Sequence, residues 1–254
     1  MPNNYRLTGT RYVSKAGSDA NNGLTTNTPK ATVQGAINIS TAGNTTIIGT
    51  GVYKESILTN WTNAAIIVFS ADGTVKFLGN NANACSLAPN AGSGINFSLN
   101  GIIFENYLTL GNANGSGTAI YSFNNCTFIN IQSITSVSTP TFNNCIFINC
   151  VIAVRAGSNT NNFQFLNCIF INTTTSGAVG AHRYTSCYFD SFSVMYIRNT
   201  FTPSNFDYNN VEGGIKCVPA STVTSGIIQD ILGNYYDLSK TATGGAGTLI
   251  NPYN

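Results

Sequence analysis

The sequence predicts an all-β fold, a single right-handed parallel β-helix whose coils stack into a solenoid. Three observations lead to this prediction. The segment FNNCTFIN at 123–130 returns as FNNCIFIN at 142–149 and as FLNCIFIN at 165–172. The copies recur every 19 to 24 residues, and their β-branched and aromatic residues show no helical periodicity. An Asn stands before the central Cys of each copy, as expected at a tight turn.

The repeat defines columns of residues that stack from coil to coil. The reference column is Ile102, Cys126, Cys145, Cys168 and Cys187, with LNGIIFEN at 99–106 and YTSCYFDS at 184–191 as weaker outer copies. The residues before it, which we predict in left-handed conformation, are Gly101, Asn125, Asn144, Asn167 and Ser186. Strand alternation predicts an inward column two positions after the reference, formed by Phe104, Phe128, Phe147, Phe170 and Phe189.

Cysteine usage favours a chain that folds in a reducing compartment. The chain has seven cysteines, an odd number, and four of them share one repeat position. We therefore expect free, buried thiols that fill the core rather than a disulfide framework. No CxxC pair is present and the single histidine, His182, has no ligand-like neighbour, so we expect neither a metal nor another cofactor.

Six isoleucines are predicted to point outwards from the same strands. They are Ile103, Ile129, Ile146, Ile148, Ile169 and Ile171, in columns that also hold Glu105 at one end and Asp190 at the other. An apolar surface of this size usually marks a covered face. A loop or the C-terminal tail could cover it, but we favour packing against other subunits, with a homotrimer as the expected state.

Composition excludes several classes of function. Only 8% of the residues are charged, and the net charge is +2, so the chain lacks the basic surface of a nucleic-acid-binding protein. No apolar run reaches the length of a membrane span or a signal peptide. The 43% hydrophobic fraction is nevertheless ample for a folded core.

The N-terminal third carries a resemblance to a known superfamily. The segments are YVSKAGSDANNGLTTNTPKATVQGAINIS at 12–40 and GNTTIIGTGVYKESI at 43–57. They resemble the N-terminal segment of pectate-lyase-like right-handed parallel β-helix proteins, which include polysaccharide lyases, glycoside hydrolases and phage tailspikes. The matching residues are Gly17, Ser18, Asp19 and Gly23 of a loop, and Gly51, Tyr53 and Glu55 of a turn, with Asn44 where an Asp is usual.

The resemblance also implies how the domain is organised. Pro29 would open a short helix that caps the solenoid through Val33, Ala36 and Ile37. The tail YYDLSKTATGGAGTLINPY at 235–253 distantly resembles the closing segment of such chains. We expect one domain, 1–254, with the first strand and capping helix in 1–45, the coils in 46–215 and the closing segment in 216–254.

Candidate catalytic residues are few. Glycoside hydrolysis needs two carboxyl groups about 5 to 9.5 Å apart, but Glu105 and Asp190 lie four coils, or roughly 19 Å, apart. A second cluster comprises Asp190, Asp207, Glu212 and Arg183, with His182 and Arg198 nearby in sequence. Scattered surface charges are the alternative interpretation of this cluster.

The neutral polar surface suits the binding of sugars better than it suits catalysis. Candidate sugar-stacking aromatic residues are Trp61, Tyr107, Tyr121 and Tyr188. The resemblance to tailspikes and the reduced cysteines favour a bacteriophage spike, fibre or decoration protein assembled in the bacterial cytoplasm. Other virion proteins and surface polysaccharide are its expected partners. The alternative is a polysaccharide lyase or glycoside hydrolase, which could be extracellular.

Overall fold

The computed structural model describes most of the repeat region and short pieces of the C-terminal third. The described residues are 9–41, 43–56, 66–82, 84–85, 96–111, 120–135, 140–154, 163–177, 183–190, 192–197, 206–207, 210–211, 215–217, 227–229, 235–237 and 252–253. Statements below concern these residues. Within them, no helix is long and apolar enough to cross a membrane.

In the described parts of the chain there are one short helix and many short strands. The helix α1 is Val33–Ile39. The strands are β1 Thr10–Val13, β2 Thr45–Tyr53, β3 Ile66–Leu78, β4 Ala84–Cys85, β5 Asn96–Glu105, β6 Thr109–Gly111, β7 Ile120–Asn124, β8 Thr127–Ile129, β9 Ile134–Thr135, β10 Thr141–Asn143, β11 Ile146–Ile148, β12 Val151–Val154, β13 Gln164–Leu166, β14 Ile169–Ile171, β15 Thr174–Gly177, β16 Arg183–Thr185, β17 Tyr188–Phe189, β18 Val194–Ile197, β19 Phe206–Asp207, β20 Asn210–Val211, β21 Ile215–Cys217, β22 Ile227–Gln229, β23 Tyr235–Asp237 and β24 Pro252–Tyr253.

Three faces run along the solenoid. The first face stacks β7, β10, β13, β16 and β19, and the second face stacks β8, β11, β14, β17 and β20. The third face stacks β4, β6, β9, β12, β15, β18 and β21. All these pairings are parallel and in register, as with Phe147 between Phe128 and Phe170. The predicted parallel β-helix is confirmed, and the right-handed sense usual for parallel crossovers is consistent with it.

The first two faces begin as one sheet and separate along the chain. Strand β5 pairs with β7 through its first half and with β8 through its second half. The backbone of Gly101, between these halves, has a φ of 70°. In later coils the same corner is formed by Asn125, Asn144, Asn167 and Ser186, with φ between 52° and 54°. The predicted left-handed turn is therefore confirmed, and Asn is favoured there because it tolerates this conformation.

The core consists mainly of two interlocked stacks of aromatic rings. On the second face, Phe104, Phe128, Phe147, Phe170 and Phe189 stack with centroid distances of 4.3 to 5.3 Å. On the first face, Phe123, Phe142, Phe165 and Tyr184 stack at 4.9 to 5.0 Å. Rings of the two stacks meet edge to face, as Phe142 and Phe147 do at 5.3 Å. The predicted inward Phe column is confirmed.

The cysteines of the reference column fill the core beside the first corner, which lies between the first and second faces. Cys126, Cys145, Cys168 and Cys187 are buried and free, as are Cys85 and Cys150. Each column thiol donates to a backbone carbonyl one coil earlier, such as Cys145 Sγ to Phe123 O at 3.4 Å. For these six cysteines, the prediction of free core thiols is confirmed. The side chain of the seventh, Cys217, lies outside the described residues.

The helix α1 packs across the N-terminal end of the coils. Val33, Ala36 and Ile37 are its buried residues, as predicted. It begins at Val33 with Thr32 as the N-cap, so the expectation that Pro29 opens the helix is wrong. Pro29 O instead accepts hydrogen bonds from Ser18 N and Asn21 Nδ2. Within the predicted closing segment, β22, β23 and β24 form a separate antiparallel sheet.

Candidate functional site

The aspartate of the N-terminal motif, Asp19, binds the two residues that precede α1. Asp19 Oδ1 accepts hydrogen bonds from Ala31 N and Thr32 N, each at 3.0 Å, and its Oδ2 accepts one from Thr32 Oγ1 at 2.7 Å. Gly17 lets the loop approach, because a Cβ there would lie 2.5 Å from Lys30 O. The glycine and aspartate of this motif therefore have a structural explanation.

The motif glutamate, Glu55, binds the first turn of α1. Glu55 Oε1 accepts from Val33 N at 3.0 Å, and Oε2 accepts from Gln34 N at 2.9 Å. Both donors are N–H groups of the first helical turn that have no partner within the helix. The Glu55 carbonyl also accepts a hydrogen bond from Tyr107 Oη at 3.0 Å. Glu55 thus joins α1 to the coil that contains Tyr107.

The protein should lose stability in acid through Asp19. Desolvation raises the pKa of Asp19, but the hydrogen bonds from Thr32 and Ala31 and the charge of Lys30 together hold it below its ordinary value of 3.8. A carboxyl whose pKa is lower in the folded state stabilises the fold fully above its unfolded pKa. That contribution is lost as the pH falls through the folded value. Thermal unfolding measured between pH 5 and pH 2 should show a steeper loss for the wild type than for Asp19→Asn.

Two further carboxylates stand at opposite ends of the second face. Glu105 forms an ion pair with Lys76 at 2.5 Å. Asp190 Oδ1 accepts from Asn172 N at 3.0 Å and from Ser193 Oγ at 2.6 Å. From β5 to β17 there are four strand spacings, which confirms that these two carboxylates are about 19 Å apart. They do not form a catalytic pair.

Asp190 ends a ladder of hydrogen bonds along the second corner, which lies between the second and third faces. In the coils before it, Asn130 N donates to Ile148 O and Asn149 N donates to Ile171 O. Asn172 N donates instead to the Asp190 carboxylate. The Asn side chains form a parallel ladder, with Nδ2 of Asn130, Asn149 and Asn172 each bonded to Oδ1 one coil earlier at 2.8 to 3.1 Å. Asp190 therefore has a structural role, and a catalytic one stays a prediction.

The other members of the predicted catalytic cluster cannot be assembled into a site. Arg183 and Asp207 lie in β16 and β19, but their side chains are outside the described residues. Glu212, His182 and Arg198 lie wholly outside them. Among the residues that the structure does describe, no group of three or more His, Cys, Asp or Glu is arranged to hold a metal ion.

One predicted sugar-binding residue is corrected by the structure. Tyr107 is fully buried, and burial raises the pKa of its hydroxyl well above the ordinary range. Its ring cannot stack on a sugar at the surface. Tyr188 is half-buried on the outward side of β17, next to Ile169. The side chain of Tyr121 and all of Trp61 lie outside the described residues, so these three remain predictions.

The isoleucine face is the outward side of the second face. Its six members are Ile103, Ile129, Ile146, Ile148, Ile169 and Ile171, and all alternate with buried residues along their strands. Ile169 and Ile171 are the most open, with 38% and 37% of their surface exposed. The outward register is confirmed, whereas the role of these residues as a subunit interface stays a prediction.

Two ladders of Asn border the isoleucine face. At the first corner, Asn144 Nδ2 bonds to Asn125 Oδ1, and Asn167 Nδ2 bonds to Asn144 Oδ1. The second corner carries the ladder that ends at Asp190, and its members Asn106, Asn130, Asn149 and Asn172 have φ between 46° and 60°. Sequence reasoning missed this second corner, although the Asn that closes each repeat was its signal. The result is an apolar strip between two rows of neutral amides.

Comparison with known proteins adds little to this geometry. No protein-family model matches the sequence, and no curated protein matches it. The chain is similar to a solved structure described as a rhamnogalacturonan lyase, with 14% sequence identity and a TM-score of 0.26. The similarity covers 87% of this chain and 66% of that one. The parallel register described above, rather than this similarity, establishes the fold.

Proposed function

We propose that the chain is an architectural and attachment protein: a rigid spike, fibre or decoration element of a bacteriophage virion, assembled in the bacterial cytoplasm. The observation that carries the proposal is that four of the carboxylates that the structure describes support the fold. Asp19, Glu55, Glu105 and Asp190 all bind groups that hold coils, corners or the helix together. Carboxylates that support the fold in this way are what an architectural protein requires.

Rigidity is the property that the coils supply best. Stacked aromatic rings contribute beyond their buried area, and here they run without interruption from Phe104 to Phe189. The Asn ladders add side-chain hydrogen bonds between successive coils on both corners of the second face. A continuous parallel ladder of this kind resists local opening, because each strand is held by two neighbours. Such a solenoid suits display at a particle surface.

The proposal includes self-association and attachment. The isoleucine face is the surface through which copies would join, and the sequence predicts three copies. Host surface glycans are the proposed ligands, because neutral amides and hydroxyls form hydrogen bonds with sugars without the cost of burying a charge. Trp61, Tyr121 and Tyr188 are the aromatic residues that remain candidates for this contact.

Incubation with polysaccharides tests the proposal against its alternative, a polysaccharide lyase or glycoside hydrolase. The panel should include bacterial capsular and plant pectic polymers, with reducing ends and unsaturated products as the readouts. We expect no product from any polymer. Release of either product, and its loss in Asp207→Asn or Glu212→Gln, would replace the proposal with the enzyme.

Particle composition tests the virion assignment separately. Mass spectrometry of phage particles purified from the source culture should detect peptides of this chain in amounts comparable with known structural proteins. Absence of the chain from particles that contain their other structural proteins would contradict the assignment to the virion.

A further inference from the structure

Four cysteines form a line of thiols along the first corner. The parallel register of β8, β11, β14 and β17 places each of them beside the next. We call this set the thiol column, and its members are Cys126, Cys145, Cys168 and Cys187. Each Sγ lies 3.3 to 3.5 Å from a backbone carbonyl oxygen one coil earlier. Because the four side chains repeat this contact, neighbouring sulfur atoms are about one strand spacing apart, roughly 4.8 Å.

Neighbouring thiols of the column affect one another's ionisation. Interaction with the Cys145 thiol lowers the pKa of Cys126, whereas interaction with the Cys126 and Cys168 thiols raises the pKa of Cys145 well above the ordinary range. Burial and the Cys168 thiol likewise raise the pKa of Cys187. Two adjacent thiolates are therefore unfavourable unless a cation lies between them.

The in-register column does not suit the two commonest uses of paired cysteines. A disulfide needs Cβ atoms about 3.5 to 4.5 Å apart, whereas parallel side chains in adjacent coils keep their Cβ atoms at the strand spacing of roughly 4.8 Å. A structural zinc site needs four ligands around one point, whereas these thiols stand in a line. The described residues accordingly contain no group of three or more ligands arranged for a metal ion, which leaves only sites made of two thiols.

We propose that adjacent thiols of the column bind a soft cation between them in linear, two-coordinate geometry. Two metal–sulfur bonds of about 2.3 Å, the length of a zinc–thiolate bond, span about 4.6 Å when they lie in a line. That span matches the strand spacing of about 4.8 Å. Thiolates favour soft cations, and Hg(II) is a soft cation that accepts two sulfur ligands in a line. The four thiols hold two ions, one between Cys126 and Cys145 and one between Cys168 and Cys187.

Charge selects a divalent ion for this position. Each ligating thiol gives up its proton, so two S–H bonds break, two Hg–S bonds form and two protons pass to the solvent, with no change of oxidation state. The product is neutral, as the core requires, because a buried charge without a partner is costly. A monovalent soft cation such as Cu(I) would leave one negative charge on each pair.

The thiol column lies directly beneath the surface. Each of its cysteines follows an exposed corner residue, and these residues are Asn125, Asn144, Asn167 and Ser186. Each Sγ also lies 3.4 to 3.5 Å from the carbonyl oxygen of the residue before that corner. An ion can therefore reach the sulfur atoms through local opening of the corner, which requires less free energy than unfolding of the coils.

Titration with mercuric chloride tests the proposal. The folded protein is titrated in the presence of excess glutathione, a competing monothiol, and examined by native mass spectrometry. An ion held by two fixed thiols is retained, because the second thiolate acts at a high effective concentration. We expect two retained ions that each replace two hydrogens, and X-ray absorption at the mercury edge should show two sulfur neighbours for each ion.

Two double variants separate the adjacency of thiols from their number. Cys145→Ser with Cys168→Ser leaves Cys126 and Cys187, which are three strand spacings or about 14 Å apart, and should lose both ions. Cys126→Ser with Cys187→Ser leaves two adjacent thiols and should lose only one ion. The cysteines outside the column are the same in both variants. Far-UV circular dichroism checks that each variant folds, and the X-ray absorption of the wild type is independent of the variants.

Three results would overturn the inference. Equal loss of mercury in the two double variants would show that adjacency has no role. Transfer of all the mercury from the wild type to glutathione would show that no pair of thiols acts together. Three or more sulfur neighbours at the mercury edge would exclude the linear geometry.

Discussion

Replacing Phe147 with Ala should lower the free energy of unfolding by about 3 to 5 kcal/mol, the usual cost of removing a buried Phe ring. Phe147 is fully buried and stacks on Phe128 and Phe170 at 4.8 and 5.0 Å. It also meets Phe142 and Phe165 edge to face. The cavity would therefore interrupt the aromatic stack of the second face and remove its edge contacts with the stack of the first face, in the middle of the solenoid, where neighbouring coils cannot collapse into it without breaking their register.

Chemical denaturation followed by far-UV circular dichroism measures this loss. The matched control is Thr127→Ala, one coil away on the outward side of the same face, which should change the free energy of unfolding by less than about 0.5 kcal/mol. Equal effects of the two substitutions would show that the assignment of inward and outward columns is wrong.

Replacing Glu55 with Ala should cost about 1 to 3 kcal/mol, because it leaves the N–H groups of Val33 and Gln34 without their carboxylate acceptor. The helix α1 has only seven residues, so it depends on these contacts more than a long helix would. We expect the end of the solenoid to open first in this variant, with faster amide hydrogen exchange in α1 and β1 than in β11.

Two control variants define the cause of that effect. Glu55→Gln keeps one oxygen acceptor and should recover part of the loss. Lys54→Ala, at the exposed neighbouring position, should have little effect on exchange in α1. If Glu55→Ala leaves the exchange of α1 unchanged, the carboxylate does not hold the helix and another role for Glu55 must be sought.

The repeat predicted the parts of the fold that recur from coil to coil. The left-handed corner at Asn125, Asn144 and Asn167 and the inward Phe column followed from position within the copies. Both depend on local backbone geometry and on strand alternation, which a sequence displays directly. The same alternation predicted that the isoleucines face outwards, and the burial pattern agrees.

Other features depended on contacts between distant segments, which the sequence does not display. Asp19 and Glu55 are 36 residues apart, and nothing in their spacing indicates that both bind the start of α1. Tyr107 was predicted as a sugar-stacking ring, yet it is fully buried and its hydroxyl binds Glu55 O. The interior also becomes polar in later coils, where Thr173 and Ser193 continue the column of Ile131 and Cys150.

The solution mass tests the central claim, that the isoleucine face joins copies of the chain, most directly. An interface confined to one face of a small solenoid belongs to the low end of interface sizes, so light scattering should extend to about 0.1 mM protein, where a micromolar complex is populated. We predict a mass of three times 26.9 kDa, about 80.7 kDa, which falls to one chain in the double variant Ile148→Asp, Ile171→Asp, because the substitutions place charges on the apolar face. A mass of 26.9 kDa for the wild type across this range would contradict the claim.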